Sequence, residues 1–173
     1  MTTNQIFNGS YFYRDEGITK WPSVDQGPNP FTIDIKKATL ENNNYRTTIW
    51  TGKNLQLTVM SIPPQTDIGL EVHHDHDQFL RVEDGQGLVT MGNRRDNLYY
   101  QQYAFDDTAV FVPAGTWHNI INTGNKPLKV YSIYAPPQHE HGTIHATKEI
   151  AELEENHPNL PKQPRIVHYY PYR

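Results

Sequence analysis

At 173 residues the chain has room for one domain with a sizeable core and too little for two ordinary ones. Its formal net charge of −4 argues against nucleic acid or an anionic membrane as the main partner, and the absence of cysteine excludes a disulfide framework and a thiolate metal site. No apolar run approaches the roughly 20 residues that span a bilayer, and the opening MTTNQIFNGSYFYRDEG has neither a basic start nor an apolar stretch, so a cytoplasmic location is expected.

Residues 1–30 are polar and rich in Pro, Gly and Asn, and read as an arm or irregular lead-in. Short strand-like segments follow at Thr32–Ile35, Arg46–Thr51 and Leu55–Ile62. In the last of these Leu55, Leu57 and Val59 alternate with Gln56, Thr58 and Met60, and Pro63-Pro64 ends it. Further strands are expected at Gly69–His73, Gln78–Glu83, Gly87–Met91, Leu98–Tyr103, Ala109–Val112, His118–Asn122 and Leu128–Tyr134, with Asp, Asn and Gly turns between them. Many short strands with close turns mean a sandwich or barrel, not a βαβ sheet. A helix is expected after Thr147, which is a good N-cap, with Ile150 and Leu153 as its apolar stripe and His157-Pro158 as its stop. The remaining tail, with Lys162, Arg165 and Arg173, is too proline-rich for a helix and reads as an extended, solvated basic end.

Two segments carry the chemistry. The first is GLEVHHDHDQFLRVEDGQG from Gly69 to Gly87, and the second is DDTAVFVPAGTWHNIIN from Asp106 to Asn122. In the second, Pro113, Gly115, His118 and Asn122 hold a P-x-G-x-x-H-x-x-x-N spacing, and Asp107 stands at a leading turn position where glycine is usual. Together the segments resemble the two motifs of the cupin superfamily, small antiparallel barrels with a metal in the mouth. The stretch from PNPF to IYAPPQHEHGTIH is similar to bacterial single-domain cupins of the type labelled mannose-6-phosphate isomerase-like. The resemblance implies an all-β fold, a double-stranded β-helix (jelly-roll-like) barrel over residues 31–137. An N-terminal arm over 1–30 would precede it, and a C-terminal segment with a short helix and extended tail over 138–173 would follow.

The resemblance also implies a metal site. Counted back from Gly85, the family's glutamate position falls on Gln78, its second histidine on His73 and its first on Glu71, while His118 comes from the second motif. Glu71, His73, Gln78 and His118 are therefore the expected ligands. Glu71 and His73 share parity and project from one face of a strand. A register through His74 would pair it with Val72, which cannot bind metal, and His74-x-His76 leaves only Asp77 before Gln78; both histidines are expected in a solvated turn. Two imidazoles, a carboxylate and an amide suit one divalent transition metal, Fe, Mn, Zn or Ni, with positions left open. Trp117 either walls the pocket or packs against a second sheet or subunit, and Arg81 should point away from the metal. His139, His141 and His145 match neither ligand nor triad spacing.

These features imply a metal-dependent cupin acting on a small oxygenated metabolite (a sugar, sugar phosphate or keto/hydroxy acid) with isomerase-like chemistry. A non-catalytic metal-containing metabolite binder and an iron-dependent dioxygenase are the alternatives, and no catalytic acid or base can be named. The partners expected are a small-molecule substrate or ligand and, from the aromatic and proline-rich VHYYPYR end, a second copy in a homodimer.

Overall fold

The computed structural model describes residues 25–157. Most of the expected N-terminal arm and the tail with Lys162, Arg165 and Arg173 lie outside this range. The elements run α1 (Ile35–Glu41), β1 (Arg46–Thr51), β2 (Gln56–Ile62), β3 (Asp77–Asp84), β4 (Gly87–Gly92), β5 (Tyr100–Ala104), β6 (Ala109–Val112), β7 (Trp117–Asn122), β8 (Leu128–Ala135), β9 (Ile144–His145) and α2 (Lys148–Asn156). They form a six-stranded sheet ordered β6-β3-β8-β2-β1-β9 and a three-stranded sheet ordered β5-β4-β7. Every strand pairing is antiparallel. The two sheets face each other as the expected all-β barrel. Among the described residues no helix is long and apolar enough to cross a membrane.

Three local expectations need correction. Thr32–Ile35 is not a strand; helix α1 begins at Ile35, because Asp34 caps it by accepting a hydrogen bond from Lys37 N (3.0 Å) and IKKATLE contains no helix breaker. Gly69–His73 pairs through a single antiparallel bridge, Glu71 with His118, and not along its length. Helix α2 is capped by Thr147 as expected, but it buries Ala151 and leaves Leu153 56% exposed.

The alternation in β2 is real, yet its polar-looking face is the interior one. Gln56, Thr58, Met60 and Ile62 pair across β8 with Tyr134, Ser132, Val130 and Leu128, and all eight are buried. The barrel interior is thus graded. At one end Met60, Ile62, Leu80, Val82, Val89, Val110, Ile120, Leu128 and Val130 form the apolar core; at the other, Gln56, Thr58, Gln78, Ser132 and Tyr134 make a polar lining. Leu57 and Val59 point outward into a second cluster with Ile49, Phe79, Tyr131 and Ile133, covered by Ile33 and Ile35 ahead of and within α1. Apolar residues on both faces of the large sheet hid which face enclosed the cavity.

The motif residues shape the turns. Asp107 has φ +67°, so the position does require a left-handed backbone, which Asp tolerates next best to Gly. Gly115 has φ +76° and lets its N–H reach His73 O at 2.7 Å. Asn122, buried at the end of β7, donates to Ile62 O (2.9 Å) and Lys126 O (2.8 Å) and accepts from Gly124 N (2.9 Å), tying β7 to β2 and to the turn before β8. Removing one side of three hydrogen bonds, one buried and two part-buried, costs about 1 kcal/mol for each. Asn122→Ala should therefore lose about 3 kcal/mol in urea unfolding at unchanged m-value; a loss below about 1 kcal/mol would show that these bonds do not hold the apolar end together.

Candidate metal centre

Glu71 and His118 face each other across the reciprocal bonds Glu71 N→His118 O (3.1 Å) and His118 N→Glu71 O (2.9 Å). Directly opposed residues send their side chains to one face, here the interior. Glu71 Oε1 lies 3.3 Å from His118 Nε2 and 3.5 Å from His73 Nε2. The donor atoms of Glu71, His73 and His118 all fall within 4.8 Å of one another. Gln78, on β3, shares the inward face with Leu80 and Val82 and is paired with Tyr134, whose ring meets that of His73 edge-on at 5.8 Å. Its amide Nε2 donates to Ser132 Oγ (2.9 Å), which leaves the carbonyl oxygen for another partner.

One observation tests whether these residues fit a metal. Glu71 Oε1, His73 Nε2, Gln78 Oε1 and His118 Nε2 are all buried and all lack an aligned hydrogen-bond partner in the protein. Leaving four such atoms unpaired would cost about 1–3 kcal/mol apiece, and they are the four atoms with which these side chains would bind an ion. The tautomer agrees, since His118 Nδ1 donates to Thr116 O (3.0 Å) and so leaves Nε2 bare. Burial alone would push the Glu71 carboxyl up, but the His118 and His73 imidazoles outweigh it and hold the group well below the usual carboxylate range. The carboxyl is thus ionised. Two N, one carboxylate O and one amide O fit a divalent transition metal with open positions.

A second carboxylate cluster, Glu83 with Asp106 and Asp107, carries its own cations. Arg81 lies 3.4 Å from Glu83 and pairs with Asp107, and Lys36 lies 3.9 Å from Glu83. Arg81 points away from the candidate centre, as its parity requires. Trp117 is half-buried beneath the Arg95 guanidinium, 5.8 Å from its ring, and Gly92 is its cross-strand partner.

The residues that sequence reasoning missed are polar groups from other strands. His76 is not in a solvated turn. It is 6% exposed, stacks on His73 at 4.5 Å, donates Nδ1–H to Asp75 Oδ1 (2.8 Å) and buries a bare Nε2. His74 stays exposed. Arg46 begins β1 on the same inward face as its partner Met60, 1% exposed. His145 is Arg46's neighbour on β9 and is also buried. His139 packs edge-on against Tyr134 at 5.2 Å, held by Gln56, which accepts from His139 N (2.9 Å) and donates to His139 O (2.8 Å). The available signal was the alternation in β2, had its polar face been assigned to the interior.

Known proteins bear on this geometry. The family described as the cupin domain matches residues 58–134. The uncharacterised protein YrkC of Bacillus subtilis is 58% identical over 72% of this chain and 67% of its own. The uncharacterised protein L612 of Acanthamoeba polyphaga mimivirus is 37% identical over 66% of this chain and 70% of its own. The crystal structure of BH2720 from Bacillus halodurans superposes with a TM-score of 0.74 at 60% identity, over 75% of this chain and 98% of that one.

Chelator-treated protein should take up one equivalent of Zn²⁺, Ni²⁺ or Mn²⁺ in calorimetry and melt at a higher temperature when loaded, since only the folded state gathers the four atoms. Glu71→Ala and His118→Ala should each weaken uptake by at least about a hundredfold, as expected for loss of a direct ligand. Unchanged uptake in both variants would place any bound metal elsewhere.

Proposed function

The chain belongs to the cupin superfamily, and from that premise we propose that it is a metal-dependent enzyme acting on a small oxygenated metabolite bound beside Glu71, His73, Gln78 and His118. The observation that carries this reading is the set of buried, unpartnered donor atoms in the barrel mouth, which extends past the four candidate ligands to His76 Nε2, His139 Nε2, His145 Nδ1, Thr58 Oγ1 and Arg46 Nε. A purely structural metal needs only a closed ligand set. A lining with further unpaired donors and acceptors is what a polar metabolite requires.

The bound ion would supply Lewis acidity toward a carbonyl or hydroxyl oxygen. The protein's own groups do the rest. Ser132 holds the Gln78 amide in one orientation, and Thr116 O does the same for the His118 ring. Asp75 fixes the His76 tautomer, so Nε2 accepts a hydrogen bond from a hydroxyl on the ligand. Burial pushes the Tyr134 hydroxyl up to about 12, so it stays protonated at neutral pH and offers a donor. The apolar end, from Met60 to Leu128, keeps water out from below.

The metabolite classes that suit such a lining are sugars, sugar phosphates and keto or hydroxy acids. Metal-loaded protein should turn over a member of one of these classes, and His118→Ala should reduce that turnover to background. Tight metal-dependent binding with no turnover would favour the non-catalytic binder.

The homodimer belongs to the same proposal. The exposed side chains of Tyr99 (72%) and Phe111 (69%), with Tyr100, Tyr103 and Phe105, gather around the sheet edges β5 and β6, where a second copy would cover them. Light scattering should return the mass of two chains, and a mass of one chain would refute the assembly.

A further inference from the structure

The metal reading leaves one side of the chamber unexplained. Arg46 is the largest fully buried side chain in the described protein, and its guanidinium is met by a single carboxylate, Glu155 Oε1 on α2, at 3.0 Å from the terminal nitrogen. Its Nε is buried without a partner. Burial works against the Arg46 charge, but Tyr134, Glu71, Tyr45 and Glu155 more than offset it, so the guanidinium stays protonated. The two histidines near it are uncharged. His139 is pushed down to about 2 by burial and by Arg46, and His145 is lowered for the same two reasons. His145 Nε2 donates to Glu154 (3.1 Å), leaving Nδ1 as a bare acceptor on the strand beside Arg46. Thr58 Oγ1, from the same inward face of β2 as Met60, is a further unpaired donor.

We propose that Arg46 Nε and Thr58 Oγ1 form a carboxylate subsite, and that the ligand of the chamber is a hydroxy or keto acid with one carboxylate. This rests on the metal reading above and selects among the classes that reading allows. Arg46 and Thr58, diagonal neighbours on the inward face of the β1–β2 pair, supply donors where a carboxylate accepts; acceptors occur at His145 Nδ1 and His76 Nε2, where a hydroxyl donates. A neutral sugar gives the buried Nε–H only an uncharged acceptor, the weaker of the two kinds of hydrogen bond. A phosphate ester asks for two charges and more donors than one free N–H supplies. No lysine is free to help among the described residues that are not exposed, since Lys129 donates to Asn42 O and Lys148 pairs with Asp67. The Arg46 and Glu155 charges cancel, so Glu71 with a divalent ion leaves one uncompensated positive charge; Glu154 sits at the partly exposed edge of α2 against His145. One ligand carboxylate suits that balance.

The test is calorimetric titration of Zn²⁺-loaded protein with lactate, lactamide and glycerol phosphate. Lactate should bind at least about tenfold tighter than the other two, the difference a charge-assisted hydrogen bond makes. Arg46→Gln should remove that preference while zinc content, measured by mass spectrometry, stays at one equivalent. Glu155→Gln, at a half-exposed position, should tighten lactate severalfold by freeing the guanidinium, and it decides the matter if Arg46→Gln does not fold. Equal affinity for lactate and lactamide, preference for glycerol phosphate, no lactate binding, or a Glu155→Gln affinity that is unchanged or weaker would overturn the subsite. Zinc content separates the two readings. Protein that takes up none of Zn²⁺, Ni²⁺, Mn²⁺ or Fe²⁺ refutes the metal centre alone, and Arg46-dependent lactate binding to that protein still supports the subsite.

Discussion

The two reciprocal backbone hydrogen bonds between Glu71 and His118 hold the mouth of the barrel in register. Glu71 ends a segment that runs along β7 through the Asp67–Ile121 bridge and Ile68 N→Ile120 O (3.1 Å), and His118 lies on β7 of the smaller sheet. The Glu71–His118 bridge is the point at which a carboxylate from one motif is set directly against an imidazole from the other. With it, His73 follows two residues later on the same face, anchored through Gly115 N→His73 O at 2.7 Å. Gln78 arrives from β3 at the level of Tyr134. A shift of one residue at the bridge would turn the candidate ligands outward.

The same constraint explains the grading of the interior. Gathering ionised and polar groups inside a barrel opposes folding, because each buried charge loses its water and each unpaired donor or acceptor loses a hydrogen bond. The lower half offsets this with close-packed Ile, Leu, Val and Met from six strands, all nearly inaccessible. Helix α2 completes the arrangement. Its Glu154 and Glu155 reach His145 and Arg46, and its Lys148 pairs with Asp67 beside the Asn119 amide. The Asp67 carboxyl, which burial alone would raise, is held below its ordinary value by Lys148 and Asn119. A depressed carboxyl contributes stability above its unfolded value, near 3.9, that is lost as pH falls through the folded one.

Much of the fold was legible because turn chemistry is local. Pro113, Gly115 and Asn122 hold fixed spacings, and Asp107 accepts the left-handed backbone that its place in the pattern implied. The clustering of Glu71, His73 and His118 was legible for a different reason: the resemblance to the family motif implied a register, and parity put Glu71 and His73 on one face. What the sequence hid depended on tertiary context. The large sheet is apolar on both faces, so alternation in β2 did not reveal that Gln56 and Thr58 point inward. His76 looked like a turn residue, yet the turn folds its ring over His73. Arg46 looked like an ordinary charged strand start, and only pairing with Met60 and His145 places it inside. Thr32–Ile35 is β-branched enough for a strand, but the cap at Asp34 commits the chain to a helix one residue later.

The most direct test is an anomalous-difference map from a crystal of metal-loaded protein, recorded at the ion's absorption edge. A single peak inside the barrel, about 2.0–2.3 Å from Glu71 Oε1, His73 Nε2, Gln78 Oε1 and His118 Nε2, is the expected result. A barrel without a peak, or a peak with Gln78 or Glu71 turned away from it, would contradict the reading of these four side chains as one centre.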